Sequence, residues 1–101
     1  MGVIRKMAKK KSPLEAAAGK LISAIQKEWD NEMGEPEAEE SENIMHKGHD
    51  ILKAARNNNI SSILNGMNVT QFLGDIWVHK HPNVKQSIAN FEAVLNAFEN
   101  V

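Results

Sequence analysis

Residues 59–80 read NISSILNGMNVTQFLGDIWVHK, and this stretch, which we call the central hairpin, decides the fold. It holds the densest group of side chains expected in the core, in two apolar segments separated by a turn at Gly66: Ile60, Ile63, Leu64, Val69, Phe72, Leu73, Ile76 and Trp77. The spacing predicts a short helix over 60–65 and a strongly apolar helix over 69–80, with Asn68 as its N-cap. The helices on either side need the central hairpin, because otherwise they have too little apolar surface to pack against.

Amphipathic segments flank the central hairpin on both sides. A helix start is indicated by Ser12, Pro13 and Glu15. Serine is a favoured N-cap, proline suits the first helical position, and the glutamate would complete a capping box. Apolar residues then recur at helical spacing in three longer segments. The predicted helices cover 13–33, 36–57 and 82–100. Their stripes are Leu14, Ala18, Leu21 and Ile25; Ile44, Gly48, Ile51 and Ala55; and Val84, Ile88, Phe91, Leu95 and Phe98.

The fold class follows from these patterns. No segment shows the alternation of apolar and polar residues that is typical of strands. With 101 residues, 42 % apolar and 25 % charged, the chain has the size and composition of one globular domain. The prediction is an all-α, compact single-domain bundle of four to five amphipathic helices over 12–101, preceded by a basic flexible arm over 1–11.

Composition excludes several classes of protein. The chain has no cysteine, which excludes disulfides, thiolate zinc sites, iron–sulfur clusters and cysteine nucleophiles. No apolar run approaches the ~20 residues that cross a bilayer. The basic N-terminus is not followed by the apolar core of a secretory signal. We therefore expect a cytoplasmic protein with no membrane partner and no cofactor.

Charge is segregated along the chain although the net charge is only −1. Five of the twelve basic residues lie in the first eleven positions: Arg5, Lys6, Lys9, Lys10 and Lys11. Eight of the thirteen acidic residues lie between positions 28 and 42, with no Lys or Arg among them. The candidate contact residues of this acidic run are Glu35, Glu37, Glu39 and Glu40. Oppositely charged segments steer partners, so both segments are predicted to contact a protein partner.

The leading functional hypothesis is a small non-enzymatic protein-interaction, adaptor or regulatory protein. The rim of the central hairpin supplies further candidate contact residues: Thr70, Gln71, His79 and Lys80. Val78 falls opposite Val69 on a continuous helix, so it is expected to be exposed. Together with Val3 and Ile4 it would offer apolar surface for pairing with a second copy, and a homodimer is a further expectation.

A first alternative is a DNA-binding regulator. The short helix, glycine turn and second helix of the central hairpin share the outline of a helix-turn-helix, and the basic arm could follow phosphates. The residue types disfavour this function. Asp75 would be repelled by phosphate, and Arg5 and Arg56 are the only arginines for base contacts.

A second alternative is a metal-dependent hydrolase. His46, His49 and Asp50 form an H-x-x-H-D pattern in the predicted second helix, and imidazole and carboxylate are suitable zinc or iron ligands. His79 or His81 would supply a further ligand. On a helical wheel, however, His46 and His49 lie opposite the apolar stripe, which is more typical of a solvated face than of a closed metal site. The sequence favours a protein that is not an enzyme.

Overall fold

A computed structural model describes residues 12–99 of the chain, without the side chains of Phe98 and Glu99. The described residues form six α-helices and one 3₁₀ turn, with no strand, and this confirms the all-α prediction. The helices are α1 (Pro13–Asn31), α2 (Glu37–Arg56), α3 (Ile60–Leu64), α4 (Val69–Leu73), α5 (Asp75–Lys80) and α6 (Lys85–Glu99), with the 3₁₀ turn at Pro82–Val84 before α6. The predicted arm, residues 1–11, lies outside the described residues.

Helix α1 lies between α2 and α6 and packs against both. The Ser12 hydroxyl caps its start as predicted, since it accepts a hydrogen bond from Glu15 N at 3.1 Å. The Glu15 carboxylate, which was expected to complete a capping box, accepts from Arg56 Nε at 2.7 Å instead. It ends at Asn31, two residues earlier than predicted, and the chain then turns through Gly34, whose φ of 87° suits glycine. The whole predicted stripe of α1 is buried: Leu14, Ala18, Leu21 and Ile25.

Helices α2 and α6 also bury the stripes predicted for them, apart from Phe98, whose side chain lies outside the described part of the chain. The buried residues are Ile44, Gly48, Ile51 and Ala55 on α2, and Val84, Ile88, Phe91 and Leu95 on the 3₁₀ turn and α6. Helix α2 packs tightly against α1 at Gly48, where an added β-carbon would lie 3.2 Å from Ile25 Cδ1. A glycine at this position therefore allows the two antiparallel helices to pack closely. No helix in the described part of the chain is long and apolar enough to cross a bilayer.

The prediction of one continuous helix over 69–80 is wrong. The chain forms two short helices, α4 and α5, which meet at Gly74 with φ 132° and ψ 110°, a conformation open mainly to glycine. Because the break rotates the second helix, Val78 is only 2 % exposed, whereas Ile76, which was expected in the core, is 71 % exposed. Val78 therefore offers no surface for a second copy.

The start of α4 is fixed by hydrogen bonds within the chain. Asn68 Oδ1 accepts from Gln71 N at 2.7 Å, and Gln71 Oε1 accepts from Asn68 N at 3.0 Å, which confirms the predicted N-cap. Glu92 of α6 adds a third bond, because its carboxylate accepts from Val69 N at 2.9 Å. Three backbone donors at this helix end, those of Asn68, Val69 and Gln71, are therefore already used within the chain.

Candidate functional site

The acidic run lies at one corner of the bundle, where α1 ends and α2 begins. We call residues 28–42 the acidic corner. Six of its eight acidic residues are exposed: Asp30, Glu35, Glu37, Glu39, Glu40 and Glu42. Met33 lies in the turn between the helices and is 65 % exposed. The corner therefore presents a dense negative surface with one large apolar side chain within it.

Part of this negative charge stabilises the start of α2. Glu37, Glu39 and Glu40 lie in the first turn of the helix, where the macrodipole favours negative charge. The N-cap residue is Pro36, and its side chain makes no capping hydrogen bond. The carboxylates therefore favour this helix end electrostatically, while their side chains stay exposed to solvent.

A polar network beneath the acidic corner connects it to α5. Ser41 is fully buried, and its Oγ donates to Glu32 Oε1 and accepts from Trp77 Nε1 at 2.9 Å. The second carboxylate oxygen, Glu32 Oε2, lies 2.7 Å from His81 Nε2. His81 Nδ1 lies 2.7 Å from the Trp77 carbonyl oxygen, and the two rings are stacked with centroids 4.1 Å apart. We call Glu32, Ser41, Trp77 and His81 the corner clasp.

Hydrogen bonding favours the charged forms of both titratable groups in the clasp. Burial lowers the pKa of His81, but its hydrogen bonds to Glu32 and to the Trp77 carbonyl, with the charges of Glu32 and Glu28, raise that pKa above its ordinary value. Burial raises the pKa of Glu32, but the hydrogen bonds from Ser41 and His81 and the charge of His81 lower it overall. Near neutral pH these directions favour a carboxylate bound to an imidazolium.

The clasp has the residue types of a hydrolytic triad but not its geometry. In a triad the imidazole accepts the proton of the serine hydroxyl, and the carboxylate orients the imidazole from its far side. Here the Ser41 hydroxyl donates to the carboxylate of Glu32 instead. Ser41 is also 0 % exposed, so no substrate reaches its oxygen. The arrangement is suited to holding three parts of the chain together.

The histidines proposed as metal ligands do not lie close together in the structure. His46 is exposed and lies 4.0 Å from Glu42, one turn away on the solvent face of α2. His49 and Asp50 are exposed as well, whereas His81 is buried in the corner clasp. Among residues 12–99, no group of three His, Asp or Glu side chains is placed to hold a metal ion.

The rim residues of the central hairpin do not share one helix. Thr70 and Gln71 belong to α4, and Gln71 is used in the capping box. His79 and Lys80 are exposed on α5, beyond the break at Gly74. Because each of these helices has at most six residues, neither resembles a recognition helix that fills a major groove. The arm residues Arg5, Lys6, Lys9, Lys10 and Lys11 lie outside the described residues.

Sequence reasoning missed the corner clasp, although two local patterns point to parts of it. Ser41 lies three residues before Ile44, so the helical repeat places this serine on the buried face of α2. A buried tryptophan also needs a partner for its indole N–H, which makes a nearby buried hydroxyl informative. The contact between Glu32 and His81 joins residues 49 positions apart, and no sequence periodicity predicts it.

Comparisons with protein-family models, with curated proteins and with solved structures found no match to this chain.

Proposed function

We propose that the protein is a non-enzymatic interaction domain that binds a basic protein partner through the acidic corner. The observation that carries the proposal is the group of six exposed acidic residues around the exposed side chain of Met33. Such a surface attracts Lys- and Arg-rich segments over long range, and the thioether side chain adds an adaptable apolar contact at short range.

The corner clasp supports this function by fixing the surface in advance. Glu32, next to Met33 in the turn, is bound to both Ser41 of α2 and His81 after α5. A turn that is already ordered loses less conformational freedom when a partner binds, so more of the contact energy contributes to affinity. The proposal therefore assigns the clasp to positioning and the corner to contact.

A protein partner suits this surface better than a nucleic acid. Phosphates would be repelled by the acidic corner, and the central hairpin offers two short helices in place of a continuous recognition helix. A hydrolase would need converging ligands or an accessible nucleophile, and no feature of the described residues favours one. Pairing of two copies remains a prediction, now without Val78.

The test compares two charge-reversed variants of equal net charge. Glu39→Lys with Glu40→Lys reverses two exposed carboxylates in the acidic corner, and Asp50→Lys with Asp75→Lys reverses two exposed carboxylates outside it. Wild type and both variants are used to capture proteins from a cell extract, followed by mass spectrometry. We expect the corner variant to lose Lys- and Arg-rich proteins that the control retains. Equal capture by both variants would contradict the proposal.

A captured partner allows a quantitative second step. Its affinity for Met33→Ser should fall about tenfold by titration calorimetry, equivalent to about 1.4 kcal/mol, if the thioether is buried on binding. Binding should also weaken as salt is added, because the attraction between surface charges is screened. An affinity that depends on neither Met33 nor salt would place the contact elsewhere on the molecule.

A further inference from the structure

The corner clasp contains a histidine whose two ring nitrogens both face hydrogen-bond acceptors. Nε2 lies 2.7 Å from a carboxylate oxygen of Glu32, and Nδ1 lies 2.7 Å from the carbonyl oxygen of Trp77. A neutral imidazole carries only one N–H, so it can satisfy only one of these acceptors. The imidazolium carries two and satisfies both. We propose that the corner clasp is a proton-operated latch, in which loss of a proton from His81 releases the turn that contains Glu32 and Met33 from the end of α5.

The geometry indicates which of the two contacts opens. The Nδ1 contact is local, because His81 and Trp77 are only four residues apart and their rings are stacked. The Trp77 carbonyl lies at the end of α5, and the His81 amide donates to Val78 O instead of to it, so the ring Nδ1–H replaces a missing helical donor. The remaining proton therefore stays on Nδ1. The lone pair of Nε2 then faces the Glu32 carboxylate and repels it. The contact between Glu32 and His81, which are 49 positions apart, therefore opens.

Negative charges close to His81 favour separation of Glu32 from a neutral His81. Glu28, in the last turn of α1, and Glu32, just beyond that helix, are the charged groups that act on His81, and both favour the imidazolium. Helix α2 contributes the uncharged hydroxyl of Ser41, and the adjoining 3₁₀ turn, Pro82–Val84, carries no titratable side chain. When His81 becomes neutral, its positive charge no longer offsets the repulsion between these carboxylates and the rest of the acidic corner.

Release would leave part of the clasp in place. Ser41 still binds Glu32 Oε1 and the Trp77 indole, so α2 keeps its contacts with both. The turn that contains Met33 loses its attachment to the end of α5. The latch itself rests on the clasp alone, whereas any effect of pH on partner binding rests on the proposed function as well.

Fluorescence of Trp77 reports the protonation of His81 directly. The chain has two tryptophans, so Trp29→Phe leaves Trp77 as the only emitter, and a stacked imidazolium quenches indole more strongly than a neutral imidazole does. Emission is recorded from about pH 5 to pH 9, the range in which a histidine titrates. We expect emission to rise in one step. The step should move to lower pH in Glu32→Gln and vanish in His81→Gln.

Amide hydrogen exchange tests whether the turn is released in that step. The Glu35 amide donates to Glu32 O at 2.8 Å, and the Ala38 amide donates to Glu35 O at 3.1 Å, so both report the order of the corner. The reference is the Asn59 amide, which donates to Ala54 O at 2.9 Å beyond the far end of α2. We expect the ratio of corner to reference exchange rates to rise several-fold across the fluorescence step, and to stay flat in His81→Gln.

Three outcomes would overturn the latch. These are a fluorescence step unaffected by Glu32→Gln, a step below the ordinary pKa of histidine, and a constant exchange ratio across the step. Glu32→Gln keeps the shape of the side chain, so it carries the test if His81→Gln does not fold. A latch that opens as expected, in a protein whose acidic corner captures no basic partner, would refute the proposed function and leave the latch standing.

Discussion

Two ion pairs lie at opposite ends of the α1–α2 pair, one between these helices and one between the turn that joins them and the end of α5. They have the same length but different surroundings. Arg56 Nε lies 2.7 Å from Glu15 Oε2 where α1 begins and α2 ends, and the arginine side chain is 56 % exposed. His81 Nε2 lies 2.7 Å from Glu32 Oε2 at the acidic corner, and the histidine side chain is 9 % exposed. Distance alone therefore says little about strength, because solvent screens the first pair and polar partners surround the second.

The largest loss is expected when the corner clasp is broken at its centre. Ser41→Ala removes the partner of the Trp77 indole N–H and one partner of Glu32, and an unsatisfied buried group costs about 1–3 kcal/mol. We expect the free energy of unfolding to fall by about 2–3 kcal/mol in urea denaturation. Ser23→Ala, at an exposed position of α1, is the matched control and should stay within about 0.5 kcal/mol of wild type. Equal effects of the two substitutions would show that the clasp adds no stability.

The break at Gly74 places Trp77 and His81 in the clasp, so the next prediction concerns this glycine. Gly74→Ala forces a side chain into a backbone conformation with φ 132°, and such strain costs about 1–3 kcal/mol. We expect a loss of about 2 kcal/mol by the same measurement. Gly19→Ala is the control, because its β-carbon meets no atom within 4 Å, and it should stabilise the helix by about 0.5–1 kcal/mol. A harmless Gly74→Ala would mean that the rotation of α5 does not depend on this conformation.

The two ion pairs should differ in their response to pH. The raised pKa of His81 contributes stability that is fully present below pH 6.5, its ordinary value, and is lost as pH rises through the folded-state pKa. The lowered pKa of Glu32 contributes stability that is present above pH 4.5, its ordinary value, and is lost as pH falls through the folded-state pKa. The contribution of the clasp is therefore greatest between these values.

Urea denaturation at a series of pH values checks this dependence. We expect the free energy of unfolding of wild type to fall as pH rises through the titration of His81, because the pKa of His81 is raised in the folded protein. His81→Gln should lack this loss, and Arg56→Gln should keep it. If Arg56→Gln flattened the pH profile as much as His81→Gln, the contrast between the two ion pairs would disappear.

The smallest effect is expected at the exposed pair. Arg56→Ala should lower the free energy of unfolding by no more than about 1 kcal/mol, because exposed ion pairs are screened and lose side-chain entropy. The difference from wild type should shrink as salt is added. A loss as large as that of Ser41→Ala, with no dependence on salt, would assign the exposed pair a role that its surroundings do not explain.

Periodicity predicted the apolar core well and the polar corner poorly. Among the described side chains, the stripes beginning at Leu14, Ile44 and Val84 are buried as expected, because the helices that carry them are uninterrupted and a repeat of 100° per residue holds. The same repeat failed for Ile76 and Val78, because the positive φ of Gly74 restarts the helix in a new direction. The glycine was visible in the sequence, but glycine is also tolerated within helices.

For the candidate site, the sequence indicates the acidic surface but not the corner clasp beneath it. Charge segregation is a property of the sequence, so the sequence alone indicates an acidic surface at Glu35, Glu37, Glu39 and Glu40. The clasp beneath them depends on contacts between the turn, α2 and the end of α5, and such contacts form only after the helices have packed. His81 was therefore considered as a metal ligand, whereas the structure places it between a carboxylate and a carbonyl oxygen.

The most direct test of the clasp is the titration of the His81 ring by NMR, in wild type and in Glu32→Gln. The account predicts a pKa above 6.5 in the folded wild type, because both ring nitrogens donate to acceptors. It predicts a lower pKa in Glu32→Gln, where the carboxylate charge is gone. A wild-type pKa at or below 6.5, or one that Glu32→Gln leaves unchanged, would contradict the claim that a charged His81 holds the acidic corner.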